Sequence, residues 1–250
     1  MARALKRIVA LLSVILLVAF AGYSAYKDVA GNLSQLPPVG YGIDSELSPA
    51  ERLTVERSRS SAVRIMSADI AGEMVSSASG TYIQHGEKYY ILTVNHGIVG
   101  PCTLTKVVVD DHLYDCVRYV LADHLTDYLV MEVQEIPTRV AVVVPDSIPT
   151  DSQWINSLAI LKEVVYTGYP NGLGPLTFQG TIVGHDGGSL FYIHSFAWAG
   201  SSGSGVFNSD GKLVGYILAI NVGSTEYGFD VLEDVVIVVP LFSINWELMP

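Results

Sequence analysis

The fold is decided at Ala197-Trp198-Ala199-Gly200-Ser201-Ser202-Gly203-Ser204-Gly205-Val206-Phe207. Three glycines within six residues interrupt an otherwise apolar segment, and glycine reaches backbone angles that other residues resist. A serine between such glycines is presented on a tight turn, its own N–H facing the same side. Read alone, the run also suits a flexible Gly/Ser linker. Its neighbours argue otherwise, because apolar β-type runs stand on both sides of it.

Residues 158–167, 176–185 and 190–194 read as strands before the turn, and 205–207, 213–220, 227–230 and 235–239 after it. Earlier in the chain, 62–66, 78–84, 89–94, 104–109, 113–121 and 128–133 have the same β-branched and aromatic character. His85-Gly86-Glu87 and Asp110-Asp111-His112 fit hairpin loops. A Pro-interrupted stretch, 136–152, separates the two groups. About six strands on each side predict an all-β protein of two consecutive six-stranded antiparallel β-barrels, one over about 61–135 and one over about 150–245.

Composition agrees. Half of the 250 residues are hydrophobic, with 23 Gly and 11 Pro at short intervals. The formal net charge of −11 argues against nucleic acid, whose phosphates call for basic patches. At the N-terminus, Lys6 and Arg7 precede an apolar run over residues 8–22 that weakens to Tyr26. This pattern predicts an N-terminal hydrophobic helix that exports the rest of the chain to the periplasm or another extracytoplasmic space. It is either cleaved after Ala19-Phe20-Ala21 or kept as an inner-membrane anchor over 8–26. Residues 28–60 read as a linker carrying a short helix at about 49–59, since Ser48-Pro49-Ala50-Glu51 has the cap, proline and acidic first turn of a helix start. Cys102 and Cys116 flank a candidate hairpin; they fit a disulfide in an exported protein and equally two buried thiols. A zinc site built from Cys102, His112 and Cys116 lacks a fourth ligand.

A serine hydroxyl is a weak nucleophile until a base takes its proton, and that base needs a carboxylate to orient it. Ile91-Leu92-Thr93-Val94-Asn95-His96-Gly97 sets a histidine just past an apolar strand. Thr126-Asp127-Tyr128-Leu129-Val130-Met131 sets an aspartate at the start of another. Each alone suits a bland reading, a hydrogen-bonded strand-end histidine or a turn aspartate. Together with the serine turn they supply base, acid and nucleophile in that order.

These segments resemble the trypsin-like serine peptidases, in particular the HtrA/Deg branch. Thr93-Val94-Asn95-His96, Asp127-Tyr128-Leu129-Val130 and Gly200 to Gly205 resemble the three family motifs, with Asp127 31 positions after His96 and Ser202 75 positions after Asp127. Val107 to Asp111 onward is similar to the hairpin between the first two motifs, and Gly168-Tyr169-Pro170-Asn171-Gly172-Leu173-Gly174 to the segment ahead of the third. The likeness runs over about 61–245. It implies a trypsin-like fold with the active site in the cleft between the barrels, and a catalytic triad of His96, Asp127 and Ser202. It further implies an oxyanion hole from the N–H groups of Gly200 and Ser202, an acyl-enzyme intermediate, a polypeptide substrate, and no metal or cofactor. The primary pocket is expected from 196–199 and 219–223, with Phe196, Trp198, Ala199 and Asn221; lacking an acid, it implies apolar substrate residues. Ser201, Ser204 and Gly205 depart from the family motif, and Ser201 removes the acid that would pair with a buried N-terminal ammonium. No PDZ-like domain follows.

Two rivals belong to other classes. An α/β-hydrolase orders its triad Ser, acid, His, and no histidine follows Ser202; His194 is the last. A trypsin-fold binding or scaffold protein without turnover is the alternative function, suggested by the motif departures. Nothing in the sequence sets an oligomeric state.

Overall fold

The computed structural model describes residues 42–144, 157–187, 189–225 and 228–250, and of 219–233 only the backbone. The hydrophobic segment expected over 8–26 lies outside the described residues. From Glu46 to Pro250 the chain forms one compact unit.

Helix α1, Pro49–Ser61, starts as its sequence dictates. The Ser48 hydroxyl accepts from the Glu51 N–H (3.3 Å) and the Ser48 N–H donates to Glu51 Oε2 (2.8 Å), satisfying two donors that helix ends otherwise leave free. These bonds to Ser48 hold the Glu51 carboxyl below its usual range. The buried face is small and polar: Thr54, Ser58 and Ser61. It docks by hydrogen bonds rather than by an apolar stripe. Ser58 Oγ donates to Thr167 Oγ1 (2.8 Å), Arg57 Nη1 to the Gly211 carbonyl (3.0 Å) and Arg59 Nη1 to Thr177 Oγ1 (2.8 Å).

Among the described residues thirteen strands follow. β1 (Ala62–Ala68), β2 (Val75–His85), β3 (Lys88–Val94), β4 (Thr105–Val109), β5 (His112–Asp123) and β6 (Tyr128–Val133) close on themselves in the order β1-β4-β5-β6-β3-β2, all antiparallel. β7 (Val142–Val143), two residues in the Pro-interrupted stretch, adds to β2 in parallel. The second barrel consists of β8 (Glu163–Gly168), β9 (Leu176–His185), β10 (Phe191–His194), β11 (Gly205–Asn208), β12 (Leu213–Thr225) and β13 (Gly228–Pro240), closed in the order β10-β13-β12-β11-β8-β9. Two closed six-stranded antiparallel barrels are the all-β architecture expected from the sequence.

Some strand limits differ. The strand expected from 158 begins only at Glu163, because Leu161 takes a left-handed φ of 69° within a turn. The runs expected over 227–230 and 235–239 are joined in one strand, Gly228–Pro240, carried through by pairing with β12. The Asp110-Asp111 corner is a two-residue turn with both φ values positive (47° and 64°), as a tight hairpin requires. Arg139 holds it, with Nη1 on Asp110 Oδ2 and Nη2 on Oδ1, both at 3.0 Å. Cys102 and Cys116 form a disulfide, which settles the alternative left open above.

β3 and β6 explain their unbroken apolar sequences. Ile91, Leu129, Met131 and Val133 point into the first barrel with Val63, Ile65, Tyr82 and Val107. Their alternates Tyr90, Leu92, Val94, Tyr128 and Val130 pack with Tyr166, Phe207 and Tyr216 of the second barrel. Strands buried on both faces lose the polar alternation of a half-exposed strand. The core therefore runs through the contact between the barrels.

Candidate active site

His96 and Asp127 are joined by strand register. β3 pairs with β6 so that Val94 faces Tyr128. The ladder continues one step further, with the Asn95 N–H on the Asp127 carbonyl (2.9 Å). Two residues past β3 and one before β6, the two side chains meet. The His96 N–H donates to Asp127 Oδ1 (2.8 Å), and His96 Nδ1 is paired with Oδ2 in a short contact. Engaging both carboxylate oxygens fixes the aspartate and leaves His96 Nε2 as the outward ring nitrogen. His96 is half exposed (52 %) and Asp127 much less so (19 %).

Asp127 takes a left-handed φ of 56°, a conformation aspartate tolerates better than most residues. The loop before it is braced twice. Asp123 Oδ1 accepts the N–H groups of Leu125 (2.7 Å) and Thr126 (2.8 Å) and the Thr126 hydroxyl (3.0 Å). The Thr126 bonds, backbone first, hold the Asp123 carboxyl below its ordinary range. From the second barrel, the Tyr216 hydroxyl donates to the Thr126 carbonyl (2.7 Å). Burial pushes the Tyr216 phenol well above its usual value, so it stays a donor.

The serine turn is fastened to the first barrel through Ser79, a fully buried residue of β2. The Ser79 N–H donates to the Ser202 carbonyl (2.9 Å), and its hydroxyl donates to the Gly200 carbonyl (2.6 Å) while accepting the Tyr169 N–H (2.8 Å). The Ser79 carbonyl accepts from Thr93 Oγ1 (2.7 Å), three residues before His96. The turn bearing Ser202 therefore lies against the end of the strand that leads to His96. Gly200 and Gly203 have φ values of 91° and 89°. Ser202 is partly exposed and Ser201 buried. Among the described residues the N–H groups of Gly200 and Ser202 meet no acceptor.

Of the residues expected to line a pocket, Phe196 and Trp198 are 56 % and 44 % exposed and stack with centroids 6.1 Å apart. Trp198 also leans on Phe178 (5.7 Å), which stacks on Tyr166 (5.1 Å), and the Tyr166 hydroxyl bonds the Phe196 carbonyl. Ala199 is exposed beside them. The Asn221 side chain lies outside the described residues. Among the described residues no cluster of His, Cys, Asp or Glu has the arrangement of a metal site.

Residues 78–215, more than half of the chain, match the trypsin-like peptidase domain family. The chain belongs to that family. Membership makes it a serine endopeptidase, a hydrolase of peptide bonds. No curated protein matches it. Among solved structures it is similar to the serine endoprotease from Yersinia pestis, at 23% identity and a TM-score of 0.57 over 78% of this chain and 64% of that one. It is also similar to the active form of the Rv3671c protease from M. tuberculosis, at 17% identity and a TM-score of 0.55 over 75% of this chain and 79% of that one. The inactive form of that protease gives 18% and 0.55. At these identities the likeness is one of fold.

The sequence carried no signal for Asp123 or Tyr216 as braces of the site, and only a faint one for Ser79. The one hint was compositional: Ser76, Ser77, Ser79 and Thr81 crowd a strand where a core would favour apolar residues.

Proposed function

We propose that this trypsin-like peptidase is an exported serine endopeptidase of the HtrA/Deg type whose triad is Ser202, His96 and Asp127. Ser202 Oγ attacks the scissile carbonyl as His96 Nε2 takes its proton. Asp127 holds Nδ1–H and stabilises the imidazolium that forms. The N–H groups of Gly200 and Ser202 receive the oxyanion; one such donor is worth roughly 2.7–4 kcal/mol of barrier. The protonated His96 then delivers its proton to the leaving amine. Water hydrolyses the resulting Ser202 ester with His96 again as base.

What carries this reading is the His96–Asp127 pair. The carboxylate takes up Nδ1 and the main-chain N–H together, which leaves Nε2 as the ring nitrogen available to take a serine proton. Export rests on the basic-then-apolar N-terminal sequence, with the segment either removed or anchoring the chain in the inner membrane over 8–26. An apolar primary pocket around Phe196, Trp198, Ala199 and Asn221 rests on the absence of an acid there. Among the described residues no helix is long and apolar enough to cross a membrane; residues 8–26 are not among them.

The test is cleavage of a mixed peptide library and of unfolded casein by the wild type and by Ser202→Ala. The expected result is cleavage after small or medium apolar residues, absent in the variant. Preferred cleavage after Lys or Arg contradicts the pocket, and undiminished cleavage by Ser202→Ala contradicts the nucleophile.

A further inference from the structure

Ser201, Ser204 and Gly205 depart from the family motif, and the structure gives two of the three a use. A trans peptide sets its C=O and N–H on opposite edges of one plane. Fixing the carbonyl of one residue therefore aims the N–H of the next. The plane that carries the Gly200 N–H has the Ala199 carbonyl on its other edge, and this oxygen accepts the Asn171 N–H at 2.6 Å. The plane that carries the Ser202 N–H has the Ser201 carbonyl opposite, and this oxygen accepts both Ser204 Oγ (2.7 Å) and the Ser204 N–H (3.1 Å). Both carbonyls are thus held within the protein, and both N–H groups are left without an acceptor among the described residues.

The holding groups are themselves fixed. Asn171 has a left-handed φ of 51° in a tight turn closed by the Gly172 N–H on the Tyr169 carbonyl (3.2 Å) and the Leu173 N–H on the Pro170 carbonyl (2.9 Å). That turn touches Gly200, where an added Cβ would lie 2.9 Å from the Tyr169 carbonyl. Ser204 is fully buried, its hydroxyl in a space that a side chain at Gly168 would fill. Ser201, where the family motif has an acid or amide, closes a reciprocal pair: its N–H donates to the Trp198 carbonyl (2.8 Å) and its Oγ accepts the Trp198 N–H (3.2 Å). Every one of these bonds joins neutral groups.

We infer that the Ser204 hydroxyl and the Asn171 N–H are positioning groups that lock the two oxyanion-binding peptides outward, so that the hole stands assembled in the resting enzyme without a charged activating partner. This rests on the triad reading above. Ser204 acts through the Ser201–Ser202 peptide and touches no substrate.

The test uses the full chain and a fluorophosphonate probe, whose phosphoryl oxygen must enter the same hole when Ser202 attacks. Ser204→Ala keeps the Ser204 N–H and loses the hydroxyl. Its second-order labelling rate is expected to fall about tenfold, short of the 100- to 1,000-fold typical when a donor is removed outright. The pH profile of labelling, which reports His96, should stay put and the protein should stay folded. A Ser204→Ala rate equal to the wild type, or reduced only in proportion to folded protein, overturns the inference alone. Because the variant has to fold for that comparison, hydrogen exchange on the wild type supplies a second arm. The Gly200 and Ser202 amides should exchange freely in the resting enzyme and become protected in the Ser202 adduct, while the Asn171 and Ser204 amides are protected throughout. Protection of Gly200 or Ser202 before the adduct forms means the hole is closed at rest and overturns it as well. Failure of the folded wild type to label at Ser202 overturns the triad reading and this inference with it.

Discussion

Asp127→Asn will lower kcat/KM by about 10⁴-fold and leave the fold standing. The carboxylate accepts from both the His96 N–H and Nδ1. An asparagine keeps one acceptor oxygen and turns the other contact into a donor. With the oxygen on the His96 N–H, its NH₂ faces Nδ1 and forces the proton onto Nε2, where it blocks acceptance of the serine proton. With the oxygen on Nδ1, the NH₂ opposes the His96 N–H. The left-handed φ of 56° is one that asparagine tolerates well. The loop also keeps its Asp123 and Tyr216 braces. The effect should therefore appear in kcat and hardly in the melting temperature. A kcat/KM within tenfold of wild type, in a folded variant, would mean that Asp127 does not set the tautomer.

Gly203→Ala has the second large effect, through the backbone. Gly203 has a φ of 89°, and a Cβ there would overlap the Ser79 carbonyl oxygen and come within 2.6 Å of Thr93 Oγ1. Neither obstacle is the loose end of a long side chain. Both belong to the bond network that seats the turn against β2 and β3. Relief requires the turn to lift, which carries Ser202 away from the end of β3. A stability loss of about 3 kcal/mol or more is expected, in the range of large single-site effects, with Ser202 labelling reduced to background. Gly86→Ala is the control. It too has a positive φ, of 60°, but nothing lies within 4 Å of its Cβ position, so only the conformational cost of about 1–2 kcal/mol applies and activity persists. Thermal melts and labelling of the two variants separate crowding from φ strain; equal effects would contradict the packing argument.

The barrels were legible because their strands are short, β-branched and set off by turn residues such as Gly86 and Asp110-Asp111. The double burial of β3 and β6 was written in Tyr89 to Val94 and Tyr128 to Met131 as a lack of alternation, though not which barrel each face would meet. His96 and Asp127 stood out by sitting at strand ends, and the Val94–Tyr128 register brings them together. The braces were illegible. Ser79, Ser204 and Tyr216 act over separations of about 90 to 120 residues or through a single peptide plane, and a serine in a strand looks the same whether it is idle or holds two loops. Helix α1 was expected from its cap, yet its docking was hidden because the buried face is Thr54, Ser58 and Ser61 and leaves no apolar periodicity. The start of β8 was missed because Leu161 turns the chain with a φ that leucine rarely adopts.

The most direct measurement is active-site labelling of the folded wild type with a fluorophosphonate, mapped by mass spectrometry beside Ser202→Ala and His96→Ala. Stoichiometric adduct on Ser202, absent in Ser202→Ala and reduced at least 100-fold in His96→Ala, is the expected result. An adduct on any other serine, or labelling of Ser202 that is indifferent to His96, would contradict the triad.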